Sequence, residues 1–431
     1  MKSKNILLLY DNKDLDRQVL KPVNYITFEE EWKRQHGGNA GNKLFTSAVE
    51  QYLTKTDITY SYYAGDESIE NINEKYDIAI LPLANIFNSH PAIVKLLEDY
   101  TKIIERFKIP VYIIGCGLQC ASYEDIDTLV NVIGGTVAKF LDAIYRTGGE
   151  LALRGYATKE FLDKIMLNSA VVTGCPSVYQ KGPDLQITNL KVKEENFRPV
   201  INGNLKYLRK INILPVFEQY KNSIYLDQDE FAQWLYFRKL SLKERNIWGL
   251  VRKKTYYGAY LLAEDRVKLL YDIPYWIGYL QNEGFSFSCG SRIHGNIVAI
   301  LAGVPAMVIY RDARTRELAE FLELPCCASL NEKSLYEEYL KADYSRFNRN
   351  FRSKYERFEK FLVSHGISYD ISDRTLFERK LAQWPWEQPE IIGRENIEYL
   401  KKRFGKNADK YQQYDKILEG LRRWGIYGRH L

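Results

Sequence analysis

Ser291-Arg292-Ile293-His294-Gly295-Asn296 runs without a break into IVAILAGVPAMVIYRD, residues 297–312, and the reading of this stretch decides the fold. The strand-like run FSFSCG precedes it, and the apolar, helix-forming run that follows closes at the turn Gly303-Val304-Pro305. A second strand-like run, Met307 to Tyr310, comes next. Short apolar strands on both sides of a helix are the repeating unit of a parallel sheet. An arginine and a histidine two residues apart stand where the helix begins. Unpaired main-chain N–H groups, a guanidinium and one titratable imidazole together suit an anionic substrate.

The same alternation extends toward the N-terminus. KNILLLY, YDIAILPLAN, VYIIGCGLQ, GELALRG and SAVVTGCPSVY read as strands. Between them, Leu44, Phe45, Ala48, Val49 and Leu53, and then Ile93, Leu96, Leu97, Tyr100, Ile104 and Phe107, recur at helical spacing. The segment 181–210 is polar and irregular and reads as a crossover, with a second unit opening at INILPVF, residues 211–217. Helices are expected near Gln228–Lys239 and Glu264–Asn282. The predicted class is α/β, with two Rossmann-like domains facing a cleft in a GT-B-like arrangement and a C-terminal helical extension. The expected boundaries are 1–195, 196–330 and 331–431, with the extension packing back on the first domain. Ligands of such sheets gather at the carboxyl ends of the strands.

Composition excludes several classes. The chain has 431 residues, 45% of them hydrophobic, and can bury large cores in more than one domain. No apolar run approaches the ~18–20 residues needed to span a bilayer. The start MKSKNILLLYDNKD is interrupted by Asp11 and Asp14, so it reads as a first strand rather than a signal peptide. Six cysteines without zinc-type spacing and five dispersed histidines predict no metal centre and a reducing, cytoplasmic setting. A net charge of +6 is too mild for a dedicated nucleic-acid binder. The basic and aromatic tail, KKRFGK followed by YDKILEGLRRWGIYGRHL, carries an expectation of peripheral contact with the inner face of the cell membrane.

Candidate site residues follow from the expected strand ends. Gly115 and Gly117 directly follow a strand, where glycines let a backbone approach a ligand. The loop Gly37-Gly38-Asn39-Ala40-Gly41-Asn42 offers Asn39 and Asn42 to hydroxyls or to an anion at a helix start. Arg154 ends the strand LALR, while Arg314 and Arg316 follow Tyr310. With Arg292 they make four cations with few acids nearby, a pattern for a substrate bearing several negative charges.

Together these residues resemble the polysaccharide pyruvyl transferase family. The matching positions are Asn39/Gly41, Gly115/Gly117, Arg154 through Thr158, Arg292/His294, Gly303/Pro305 and Tyr310. They span roughly residues 37–180 and 280–325. The chain departs from the family pattern at Asn42 and at Gly174-Cys175-Pro176, where acidic residues are usual, and at Leu83-Ala84-Asn85, which lacks glycines. The resemblance implies transfer of pyruvate from phosphoenolpyruvate to two hydroxyls of a sugar, giving a cyclic ketal, with no further cofactor. The acceptor would belong to a bacterial surface polysaccharide or its lipid-linked precursor. His294 would act as general acid/base and Arg292 would hold the anion. Arg154, Arg314, Gly295, Asn296, Asn39, Asn42, Gly115, Gly117 and Tyr310 would line the substrate. A GT-B glycosyltransferase using a nucleotide sugar is the alternative; it predicts an acidic residue near a strand end of the second domain to grip the ribose or base.

Overall fold

A computed structural model of the chain describes residues 4–9, 39–53, 58–62, 67–165, 170–203, 208, 211–228, 266–269, 273–330 and 334–367. The basic tail, the segment 229–265 with its expected helix, and Gly37-Gly38 lie outside these residues.

The first domain carries a six-stranded parallel sheet. Its strands are β1 (Lys4–Leu8), β2 (Ile58–Tyr62), β3 (Ile78–Pro82), β4 (Val111–Cys116), β5 (Leu151–Leu153) and β6 (Ala170–Val172), in spatial order β2-β1-β3-β4-β5-β6. The connecting helices are α1 (Ala40–Leu53), α2 (Ile69–Lys75), α3 (Pro91–Ile104), α4 (Ile126–Arg146) and α5 (Tyr156–Lys164). The central strands IAILP and VYIIGC are buried at every position, as expected where helices cover both faces. Gly115 takes φ +73° at a register shift between β4 and β5, and a Cβ there would sit 2.5 Å from the Phe45 ring. A side chain is excluded twice over, by conformation and by space.

The second sheet is also parallel, in spatial order β12-β11-β10-β7-β8-β9. Its strands are β7 (Pro199–Asn202), β8 (Ile224–Asp227), β9 (Val267–Leu269), β10 (Phe287–Gly290), β11 (Ala306–Ile309) and β12 (Cys326–Cys327). The described helices of this domain are α6 (Leu214–Gln219), α7 (Ile273–Asn282), α8 (Ile293–Leu301) and α9 (Ala313–Leu322). Two Rossmann-type units, each a parallel sheet with helices, thus make up the GT-B-like arrangement.

Three element readings are corrected. The second sheet opens at Pro199–Asn202, inside the expected crossover, because a four-residue buried strand ending in Asn-Gly carries too little periodicity to be seen. The second unit does not open at INILPVF, which leads into helix α6 at Leu214; Pro215 fits the first turn, where no intrahelical N–H is needed. The expected helix at 264–282 is a strand, Val267–Leu269, followed by α7.

Helices α10 (Leu335–Lys341) and α11 (Ser345–Ser364) follow the second sheet. In α11, Phe347, Phe351, Tyr355, Phe358, Phe361 and Leu362 recur at intervals that keep them on one face, and all six are buried. That face meets the first domain. Phe358 stacks on Tyr179 at 5.2 Å and meets Tyr52 edge-on, Phe361 meets Tyr112, and His365 Nε2 lies 2.7 Å from the Glu150 carboxylate. Phe358→Ala removes a fully buried ring at the centre of this contact, and the expected loss is about 3–5 kcal/mol. Urea unfolding followed by circular dichroism measures it; a change below about 1 kcal/mol would contradict the packing described.

Candidate active site

Helix α8 begins with Arg292 as its N-cap, and no side chain caps its first turn. Its position is set by Asn202 at the end of β7. The Asn202 amide oxygen accepts the Arg292 N–H at 3.0 Å. The Asn202 amide nitrogen donates to Asn296 Oδ1 at 2.7 Å and to Ser288 Oγ at 3.2 Å. Asn296 in turn accepts from Ser288 Oγ and donates to the Gly290 carbonyl. Every polar atom of Asn296 is therefore engaged by protein, and it anchors α8 to β7 and β10 instead of lining substrate as expected. Gly295 lies one turn into the helix, and a Cβ on it would stand 2.4 Å from Gln228 Nε2 and 2.9 Å from the Asn202 side chain.

His294 projects from this first turn toward the first domain. A Cβ on Gly41 of α1 would lie 2.9 Å from His294 Nδ1, and Cys175 Sγ lies 3.8 Å from Nε2. The ring is only 8% exposed. Burial, reinforced by the positive fields of Arg154, Arg314 and Arg292, holds its pKa well below the ordinary imidazole value. The imidazole is neutral at physiological pH.

Arg154 reaches the same point from the other domain. It is 1% exposed, its guanidinium lies 5.2 Å from the Phe45 ring, and Nη1 donates to Asn85 Oδ1 at 2.8 Å. Its Nε and Nη2 are buried without a hydrogen-bond partner. A buried guanidinium so under-satisfied is costly unless an anion completes it. Arg314 is held by Asp312 at 3.2 Å and approaches Gln119 at 3.5 Å, and its Nε is also buried and unpartnered. The structure thus brings Arg154, Arg292, His294 and Arg314 together.

Other expected residues are placed differently. Arg316 pairs with Glu320 at 2.8 Å and stacks over Tyr123, turned away from the cluster. Tyr310, Arg311, Asp312 and Arg316 line a neighbouring cavity of about 370 Å³. Asn39 Oδ1 accepts the Gly41 N–H at 2.8 Å and so orders the start of α1 beside His294, while Asn42 lies within that helix. Gly115 and Gly117 are packed closely by protein side chains, the former by Phe45 and the latter by Arg154 and Glu317.

The expected scarcity of acids is also corrected. Asp312 caps α9 through the Thr315 N–H, and Glu317 of α9 crosses to the first domain. The Glu317 carboxylate accepts from the Thr158 N–H at 2.9 Å and from the Thr158 hydroxyl at 2.8 Å. Gly155, the N-cap of α5, has no side chain, so Glu317 supplies the missing cap from the opposite domain. The helical spacing of Arg314 and Glu317 was the available signal, but it did not reveal a partner 159 residues away. Among the described residues, no group of three or more His, Cys, Asp or Glu side chains is placed to hold a metal.

A family model for polysaccharide pyruvyl transferase matches residues 39–313. The chain belongs to the polysaccharide pyruvyl transferase family. It is accordingly a transferase of polysaccharide biosynthesis, and the matched span includes Arg154, Arg292 and His294 and ends one residue before Arg314. No curated protein matches the chain in sequence. Among solved structures, the UDP-N-acetylglucosamine 2-epimerase from Rickettsia bellii is 13% identical, with 88% of this chain and 100% of that one covered at a TM-score of 0.41. The Methanocaldococcus jannaschii epimerase, solved with UDP-GlcNAc and UDP, is 11% identical, with 84% and 100% covered at 0.39. The glycosyltransferase SnogD from Streptomyces nogalater is 12% identical, with 84% and 100% covered at 0.29. None of the three lends an activity to this pyruvyl transferase family member. No helix among the described residues is long and apolar enough to cross a membrane.

Glu317 has a pKa raised from 4.5 to about 7, chiefly by burial and opposed by the hydrogen bonds from Thr158. A carboxyl whose folded pKa is raised contributes stability in full below its unfolded value and loses it as pH rises through the folded one. The melting temperature should therefore fall between about pH 5 and pH 8, by the equivalent of about 3 kcal/mol. Glu317→Gln, which keeps the contact and cannot ionise, should flatten that slope in thermal melts across the range. An unchanged slope would assign the pH dependence elsewhere.

Proposed function

We propose that this family member transfers pyruvate from phosphoenolpyruvate to two hydroxyls of one sugar, releasing phosphate and leaving a cyclic ketal. The sugar belongs to a surface polysaccharide or its lipid-linked precursor. The observation that carries the reading is Arg154. It is buried, it faces His294 across the domain boundary, and two of its nitrogens have no protein partner. With Arg292 and Arg314 it makes a cluster suited to a small, multiply charged anion. Phosphoenolpyruvate has a carboxylate and a phosphate on adjoining atoms, and arginine clusters match both.

The chemistry moves two protons: each sugar hydroxyl loses one, and of these equivalents one ends on the enol carbon and the other on the departing phosphate, which leaves as hydrogen phosphate. A proton is added to the enol carbon, a sugar hydroxyl attacks the adjacent carbon, and the carbon–oxygen bond to phosphate breaks. The second hydroxyl then closes the ring. In the free site burial, reinforced by the arginine fields, keeps His294 neutral. A bound donor offsets those fields and raises the imidazole pKa, so a proton becomes available to the enol carbon. The imidazole left neutral by that step can take the proton of the attacking hydroxyl. The arginines stabilise charge on the departing phosphate. Cys175 Sγ lies 3.8 Å from Nε2, on the first-domain side of the ring.

Phosphate release from phosphoenolpyruvate, followed with galactose-, mannose- and glucose-terminated acceptors, should depend on acceptor. His294→Ala should lower it by about 10²–10⁴-fold with an unchanged circular dichroism spectrum. Transfer from a nucleotide sugar in place of phosphate release would overturn the reading. Donor binding should also be accompanied by proton uptake by the protein near neutral pH. Calorimetry in buffers of different ionisation enthalpy checks this, and His294→Ala should abolish the uptake.

A further inference from the structure

The mouth of α8 contains polar atoms that the arginine cluster does not explain. Gln228 follows β8 and Ser291 follows β10, on either side of Asn202 at the end of β7. These strand ends meet where the order of the second sheet reverses, the place at which open α/β sheets hold ligands. Gln228 is 1% exposed and Ser291 5%, yet both polar atoms of the Gln228 amide and the Ser291 hydroxyl lack any hydrogen-bond partner. Asn202, between them, is by contrast fully tied to Arg292, Ser288 and Asn296.

Each lies close against a glycine. Gln228 Nε2 lies 2.4 Å from the position a Gly295 Cβ would take, so the amide rests against the first turn of α8. Ser291 Oγ lies 3.1 Å from the corresponding position on Gly203. The helix start itself has no side-chain cap. An uncapped turn, an amide and a hydroxyl at neighbouring strand ends are neutral donors suited to an oxyanion. The Gln228 amide oxygen can accept the proton of a P–OH group. Leaving such groups buried and unpaired is costly, and an oxyanion ligand removes that cost.

The unpartnered atoms of Arg154 have a different shape. Nη1 is held by Asn85, which leaves Nε and Nη2, the two parallel N–H groups on one edge of the guanidinium plane. That edge is the planar fork that fits a carboxylate. His294, in the first turn of α8, is within the electrostatic reach of Arg154.

We infer that the α8 mouth, lined by Gln228 and Ser291, is a separate subsite for a tetrahedral oxyanion, and that the donor spans the two domains, phosphate at α8 and carboxylate on Arg154. Its second half rests on the phosphoenolpyruvate reading; the existence of a phosphate subsite does not. The arrangement places the enol carbons beside His294 and directs the leaving phosphate toward the second domain.

Binding of inorganic phosphate, pyruvate and phosphoenolpyruvate to the full chain, measured by calorimetry, tests it. The wild-type protein should bind all three. The double variant Gln228→Leu/Ser291→Ala should weaken phosphate and phosphoenolpyruvate by at least about tenfold and leave pyruvate unchanged. Arg154→Met should weaken pyruvate and phosphoenolpyruvate and leave phosphate unchanged. Gln228→Glu, which keeps the side-chain shape but sets a carboxylate against the anion, should repeat the loss of phosphate if the double variant fails to fold. Failure of phosphate to bind the wild-type chain, or unaltered phosphate binding in the Gln228 variants, overturns the subsite. Phosphate binding that depends on Gln228 without any phosphoenolpyruvate binding keeps the subsite and sinks the donor reading. Phosphoenolpyruvate binding insensitive to Gln228 and Ser291 does the reverse. Equal loss of both fragments in Arg154→Met would overturn the division between domains.

Discussion

The buried amide of Asn202 is the constraint on which the second domain's share of the site depends. One side chain joins the end of β7 to Ser288 on β10, to Asn296 inside α8 and to the N–H of its N-cap residue. In a buried network, the loss of one partner leaves the others unsatisfied, so the arrangement holds or fails as a unit. Because Asn202 takes the Arg292 N–H and nothing caps the next turn, the helix start presents its polarity to the cleft. The same anchoring sets His294 and Gly295 in that first turn, one toward the other domain and the other against Gln228.

The domains meet through contacts that are equally specific. Glu317 caps α5 across the boundary, and the capped helix directly follows the strand that delivers Arg154. The resulting centre is electrostatically lopsided, with Arg154, Arg292 and Arg314 around an imidazole kept neutral by burial and by their fields. Asp312 answers part of Arg314, and Glu317 lies near Arg154 but spends its hydrogen-bonding capacity on Thr158. An anion entering this space replaces hydration the arginines have already lost, which gives the cluster both affinity and a means of retuning the histidine. The last helix, α11, packs an aromatic face on the first domain after the chain has completed the second sheet, and so holds the two units as one molecule.

Much of the fold was legible because buried parallel strands are apolar at every position and their helices are amphipathic. IAILP, VYIIGC and the α8 run reveal themselves this way. Where the signal was short it misled. RPVIN reads as part of the crossover because its four buried residues end in a turn-forming asparagine, and INILPVF reads as the opening of the second unit because the six-residue helix it leads into is too short to display a helical period. The site was half legible. Arg292 and His294 are close in sequence and at a recognisable helix start, and Arg154 and Arg314 stand at strand ends, so topology alone sends them to one rim.

What the sequence by itself determined is therefore the two parallel sheets, the helix start that carries the arginine and histidine, and the excess of cations at the strand ends. Periodicity and short-range spacing encode all three. The tertiary structure decided which of those cations converge: Arg316 turns away to Glu320 while Arg154 is buried against Phe45 with one edge left open. It also decided that Asn296 anchors a helix, that Glu317 clasps the opposite domain, and that Gln228 and Ser291 are buried without partners. Apart from the local Arg316–Glu320 pair, these outcomes depend on residues 60 or more positions apart being brought together, and pairing over such separations follows from packing, on which local sequence pattern is silent.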